Sequence, residues 1–325
     1  MQKLSVWVGL SFLTLVPAGA QQESFSSRAN LVPVPALVRD GAGNAVYGLT
    51  ADDFIVQDDQ SMQVAQLDEA AEADPISLVI AIECGLRAKR EFERIRGLPA
   101  MLDPVLSSGR NEAAVLLFDS KLSLVENFTR NSEKIEQNLK HIDSGDQGAA
   151  IADAVAYAAR LLSRRPEGQQ RVLLLISETR DHGSHFSKLD DVVRLIGENN
   201  ISVYALSFSP YLSQQAAVMR GANQDEWSPR IDVIEKLAAL RQALRGNTPK
   251  TLTWLTGGEY EIFHGREGFE TDLIAFTNHL HSRYRLSFEP KDPHPGFHQI
   301  QVSLRRPDSG RSVLYRRGYW AGNGR

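Results

Sequence analysis

Residues 76–83, ISLVIAIE, most constrain what this chain can fold into. An apolar run without polar alternation leaves neither face of a strand for water, which suits a parallel strand covered on both sides. The run RVLLLIS at 171–177 repeats the pattern, and further strands are predicted over 113–118 and 201–208. Weaker strands are expected over 122–128 and 259–263. The link Phe118-Asp119-Ser120-Lys121 is short enough for a hairpin, so the strand over 122–128 should run antiparallel. Helical periodicity fills the gaps. Leu189, Val192, Val193 and Ile196 recur at helical spacing, with Ser187 and Asp190 resembling a capping box. Ile135, Leu139 and Ile142 share one face, and 149–162 is rich enough in alanine to pack closely on a sheet. Pro99 and Pro104 should end or kink the helix that begins near Leu86. The alternation predicts an α/β fold: an open, doubly wound, mostly parallel sheet of Rossmann-like type.

The flanks read differently. Residues 31–70 carry short apolar runs punctuated by Gly and Asp, the signature of short antiparallel strands. After a helix over 269–283, three more strands are expected in YRLSFEP, HQIQVSLRR and SVLYRRGYW. Three strands make a poor independent core. The two flanks, 21–72 and 284–325, are therefore expected to pack together as one accessory β module, with the α/β domain of 75–283 inserted between them. Residues 210–247 exceed what a connection needs and read as an insertion. Within it an extra helix is expected from Ser228-Pro229 to Gly246, carrying Ile234, Leu237 and Leu244.

Composition narrows the function classes. The 325 residues carry a net charge of −4 and no basic, aromatic-interleaved stripe, so neither nucleic acid nor an anionic membrane surface is an expected partner. The amino terminus has Lys3, an apolar run over 4–16, Pro17, and Ala18-Gly19-Ala20 before Gln21. This is the layout of a signal peptide over 1–20, and its apolar core is short of the ~20 residues a spanning helix needs. The mature chain is expected to be exported, secreted or periplasmic, with no membrane span. Cys84 is the lone cysteine, so no internal disulfide forms; following a run of aliphatics, it reads as core, with intermolecular pairing as the alternative.

In a doubly wound sheet, ligands bind beyond the carboxyl ends of the strands where the strand order reverses. Glu83 ends the first strand of the sheet and Glu178 follows the fourth, so two carboxylates are expected to converge there. At these residues the chain resembles the von Willebrand factor type A (vWA) superfamily, and more closely the exported VWFA-related proteins of the Acidobacteria type. The resemblance covers nearly all of the mature chain. It runs through VRDGAGNAVYGLTADDFIVQDDQ, LVIAIE, VLLLISETRDHGS, ISVYALSFS, LTGGEY, and YRLSFEP to YRRGYW.

The resemblance implies a divalent cation site: an Asp-x-Ser-x-Ser turn after the first strand, a Thr near a helix start, and an Asp after the fourth strand. Here Glu83 replaces the first Asp, Gly85 and Arg87 the two Ser, Ala149 the Thr, and Glu178 the last Asp. The site is degenerate. Glu83 and Glu178 could still hold Mg2+ or Ca2+ loosely, but the favoured expectation is that Arg87 or Arg180 takes the metal's place, because a guanidinium can bridge two carboxylates. Asp119 and Asp181 are expected at the rim.

Other constellations are weaker. His182 and His185 beside Glu178 suggest a metal site that His279 or His281 completes only if the last helix folds over that loop. Asp181, His182 and Ser184 are too close in one turn for the geometry of a hydrolase triad. The Gly pair of LTGGEY reads as a tight turn, and Asn127-Phe128-Thr129 as a glycosylation acceptor in a host that uses that machinery. The resemblance implies a non-catalytic protein-binding module with no cofactor and a macromolecular partner. In some relatives the last helix switches between two positions; loss of the metal argues against that here. The alternatives are a metal-dependent hydrolase using the 177–185 loop and a structural subunit of an envelope assembly.

Overall fold

The computed structural model describes residues 31–68, 74–107, 109–140, 142–166, 168–209, 233–292, 294–306 and 310–321. The expected signal peptide and the start of the insertion helix lie outside these residues.

The amino-terminal strands are β1 (Val32–Arg39), β2 (Phe54–Asp58), β3 (Ser61–Gln63) and β4 (Gln66–Leu67). The α/β part follows with β5 (Ile76–Glu83), α1 (Phe92–Ile95), α2 (Leu98–Leu106), β6 (Glu112–Phe118), β7 (Leu122–Thr129), α3 (Ser132–Lys140) and α4 (Ile151–Ser163). It continues through β8 (Gln170–Ser177), α5 (Leu189–Glu198), β9 (Ile201–Ser207), α6 (Val233–Gly246), α7 (Thr248–Thr256), β10 (Tyr260–Ile262) and α8 (Gly265–Leu280). Four strands close the chain: β11 (Tyr284–Phe288), β12 (Gly296–Leu304), β13 (Ser312–Tyr315) and β14 (Gly318–Ala321).

The central sheet has the order β10-β9-β8-β5-β6-β7, parallel except for β7. Every residue of β5 is buried, as its unbroken apolar run requires. One face of the sheet packs on α4, α5 and α7 and the other on α1, α2, α3 and α8. The alanines of α4 let its axis approach the strands: Ala152, Ala154, Ala156, Ala158 and Ala159 are all buried.

The flanks do form one accessory β module, built as two four-stranded sheets that share a core. In one sheet β1 lies between β11 and β13, with Ala36 opposite both Tyr284 and Tyr315. In the other, β12 lies between β14 and β2, with Val302 opposite Val56. The carboxyl-terminal segment thus supplies four strands rather than three. SVLYRRGYW breaks at Arg316-Arg317, where the chain leaves one sheet for the other.

Three local expectations are corrected. The stretch after Leu86 is a 3-10 turn over Ala88–Glu91 followed by two short helices; Pro99 sits in the first turn of α2, where its missing N–H costs no bond, and Pro104 lies inside it. Ser187 and Asp190 do not form a capping box: the N-cap of α5 is Lys188, Ser187 donates its N–H to Asp153, and Asp190 pairs with Arg241. The last helix begins at Gly265 and ends at Leu280, shifted toward the amino terminus from 269–283.

Arg316 locks the module to the α/β domain. It is 5% exposed, and its hydrogen-bond partners are backbone carbonyls and one amide oxygen. Its guanidinium donates to Gly318 O (2.9 Å), to Gly197 O at the end of α5 (2.6 Å), and to the Asn200 side chain. Burial lowers its pKa to about 10, which leaves it charged at neutral pH. Arg316→Met removes these donors and strands buried carbonyls, so the urea midpoint should fall by the equivalent of about 2–3 kcal/mol.

Candidate functional site

The order of the central sheet reverses between β5 and β8, and both strands end there in an acid. Glu83 closes β5 and is 1% exposed; Glu178 follows β8 and is 5% exposed. The two touch: Glu178 N–H donates to Glu83 Oε2 at 2.8 Å. The first and fourth strands of the sheet therefore stand side by side with converging carboxyls, as the doubly wound strand order predicts. The fold is the open, doubly wound, mostly parallel Rossmann-like sheet that the sequence predicts.

Around this pair the vWA-like metal geometry is not reproduced. Glu178 Oε1 is bonded by His182 Nε2, and Glu178 Oε2 lies 3.7 Å from Arg87 Nη1. Of the two expected arginines Arg87 is the one at the site, yet it pairs with Glu178 alone and does not bridge both acids. Glu83 Oε1 is buried without a hydrogen-bond partner. A Cβ added at Gly85 would stand 2.7 Å from Gly148 O, so the position cannot take the serine of the vWA motif without displacing the chain. Ala149 is fully buried, offers no hydroxyl, and its carbonyl accepts His182 N–H at 3.2 Å. The donor set does not fit a hexacoordinate hard cation, which needs several exposed oxygens.

The electrostatics follow from that packing. Burial pushes the Glu83 carboxyl up to about 8; the Glu178 N–H opposes this, the Glu178 charge adds to it, and Arg87 opposes it again. Glu83 is therefore protonated at neutral pH. Cys84 is driven up to about 12 by burial and by the charges of Asp119 and Glu83, so it stays an unreactive thiol.

The acids expected at the rim act as backbone caps. Asp119 accepts N–H bonds from Lys121 (2.7 Å) and Asp146 (2.9 Å). Asp181 Oδ2 accepts the Ala152 N–H at 2.6 Å and the Ser184 hydroxyl at 2.6 Å, capping the first turn of α4. Since Ser184 bonds Asp181 while His182 bonds Glu178, the imagined triad does not assemble. His279 bonds Glu259 at 2.7 Å beside β10 and does not join the 181–185 loop; His281 is the C-cap of α8.

Two residues that sequence reasoning missed organise this face. Asp153, 3% exposed on α4, accepts the N–H groups of His185 (2.8 Å), Phe186 (3.2 Å) and Ser187 (2.6 Å). A single acid inside the alanine-rich run was the available signal. The loop it fixes holds Phe186 at 87% exposure.

No family profile and no curated protein matches the chain. Among solved structures it is similar to BatB from Bacteroides thetaiotaomicron at 15% identity and a TM-score of 0.43, covering 63% of this chain and 98% of that one. It is also similar to the VWA domain of SpRpn10, at 11% identity and a TM-score of 0.38, over 61% of this chain and 93% of that one. The vWF domain of the type V pili tip protein Mfa5 from Porphyromonas gingivalis aligns at 12% identity and a TM-score of 0.31, over 33% and 39% of the two chains.

The Glu83 proton gives a signed pH prediction. The unfolded chain loses it near 4.5 and the folded chain near 8, so its contribution to stability is complete below 4.5 and declines as the pH rises to about 8. Glu83→Gln keeps an acceptor for the Glu178 N–H and removes the ionisable group. It should flatten that decline and exceed the parent in stability at pH 8 by on the order of 3 kcal/mol, measured by urea unfolding across the pH range.

Proposed function

We propose that the protein is an exported, non-catalytic binding module whose vWA-like domain holds a macromolecular partner at the carboxyl ends of its strands without a metal ion. The observation that carries the reading is Phe186: a large aromatic ring 87% exposed, on a loop whose backbone is anchored by a buried carboxylate. A backbone held this way loses little freedom on binding, and exposed aromatic residues make effective interface anchors. Leu86, 49% exposed, and Arg87 stand on the loop that follows β5. Metal independence is supported by the occupation of Glu178 by Arg87 and His182, and by the protonated state of Glu83. Export rests on the leader-like residues 1–20. No helix among the described residues is long and apolar enough to cross a membrane.

Phe186→Ala should change unfolding stability by less than about 0.5 kcal/mol, yet abolish cross-linking of the chain to its envelope partner, with EDTA leaving the parent's cross-link intact. An EDTA-sensitive cross-link, or saturable Mg2+ binding that Glu83→Gln removes, would restore the metal-dependent reading. A second reading, a structural subunit that docks through its β module, is favoured by edge strand β3 and its flank, where Met62 and Val64 are 49% and 72% exposed. A cross-link lost in Val64→Lys and kept in Phe186→Ala would support it.

A further inference from the structure

The β module contains a side-chain cluster that the binding face does not use. His298, on β12, is 1% exposed and lies between two rings, His294 (4.1 Å between centroids, 24° between planes) and Tyr319 (4.7 Å, 21°). Its Nε2 is 2.7 Å from the backbone carbonyl of His294. A carbonyl only accepts, so Nε2 carries a hydrogen, and in the neutral ring Nδ1 presents a bare lone pair. That nitrogen stands 3.0 Å from Asp59 Oδ2 and 3.4 Å from Asp58 Oδ1. Neither approach has hydrogen-bond geometry, and both Nδ1 and Asp58 Oδ1 are buried without a hydrogen-bond partner. A lone pair set against carboxylate oxygens away from water is costly unless a positive charge stands among them.

We infer that Asp59, His294 and His298 form a binding site for a divalent metal ion of the zinc class, with Asp58 Oδ1 beside it. Ligand atoms of the three residues lie within 4.8 Å of one another. Ligands of a tetrahedral zinc ion bound at 2.0–2.2 Å stand roughly 3.3–3.6 Å apart. The separations of Asp59 Oδ2 from His298 Nδ1, 3.0 Å, and from His294 Nε2, 3.8 Å, straddle that range. Two imidazoles and a carboxylate suit Zn2+ and its transition-metal neighbours rather than Mg2+ or Ca2+. The His294 side chain, 53% exposed, has room to tilt out of its stack and bring Nε2 to the ion.

The surroundings are those of a metal site. Each acid commits one oxygen to the fold and keeps the other: Asp59 Oδ1 accepts Gln299 N–H at 3.0 Å, and Asp58 Oδ2 accepts the Tyr319 hydroxyl at 2.9 Å. The His298 Nε2–H to carbonyl bond is the contact that orients a metal-bound imidazole and fixes its tautomer. Asp59 itself sits in the turn between β2 and β3 with a φ of 44°, which carries its carboxylate toward β12. An ion here would tie that hairpin to the start of β12.

The test uses the full chain, stripped with a chelator and titrated with Zn2+ against a chromophoric competitor, then with Co2+ for the visible bands of a low-coordinate site. One equivalent of Zn2+ is expected. His294→Ala, at an exposed position, and Asp59→Asn, which tolerates a positive φ, should each stay folded by circular dichroism and weaken binding at least about tenfold. Glu83→Gln and His182→Ala should leave it unchanged. The inference is overturned if the folded chain takes up no Zn2+ saturably, if uptake survives unchanged in both His294→Ala and Asp59→Asn, or if His182→Ala removes it. It is also overturned if 15N spectra at saturating Zn2+ show both His298 nitrogens protonated, the signature of an imidazolium paired with the acids.

Discussion

One hydrogen bond sets the geometry at the carboxyl ends of the central strands: the N–H that follows β8 donates to the carboxyl that ends β5. It is made where the strand order reverses, the point at which a doubly wound sheet opens a crevice and backbone groups lose their ladder partners. Satisfying that N–H from the neighbouring strand draws the two ends together. Burying the acceptor then keeps its proton on, because a second charge beside Glu178 in a dry site is unfavourable. The pair of acids at the strand ends is thus one neutral hydrogen-bonding group and one ion-paired one.

The same use of acids recurs across the face. Asp119, Asp146, Asp153 and Asp181 all accept backbone N–H groups from loops that would otherwise leave donors unpaired. A carboxylate holding two or three N–H groups can fix a turn without any regular structure. The result is a set of rigid loops on which exposed side chains are displayed at constant geometry. Rigidity supplied this way comes from the chain's own carboxylates.

Much of this architecture was legible in the sequence because strand burial writes itself into periodicity. The unbroken run of β5 announced a parallel, doubly covered strand, and the three-residue link after Phe118 announced antiparallel β7. The site was legible at Glu83 and Glu178, whose positions follow from where strands end. Its electrostatics were not: that Arg87 reaches only one acid and that His182 takes the other depends on loop paths no spacing encodes. Asp153 went unread because a helix position does not reveal which loop folds over it. Asp59, His294 and His298 went unread because β2 and β12 are far apart in the chain, and only their pairing brings Asp58 opposite Ile300.

The position of β1 has a consequence for how the molecule comes to exist. Its partners, β11 and β13, lie beyond the whole α/β domain, so a chain made from its amino terminus presents the strand Val32–Arg39 long before anything can pair with it. Contacts of such long range form late. The α/β domain can gather its own core first, and the β module closes over it only once the last residues arrive, with Arg316 among the final groups to lose water. A truncation near the carboxyl terminus should therefore leave a folded α/β body trailing two unpaired strand edges, a species prone to associate through them rather than one that simply unfolds.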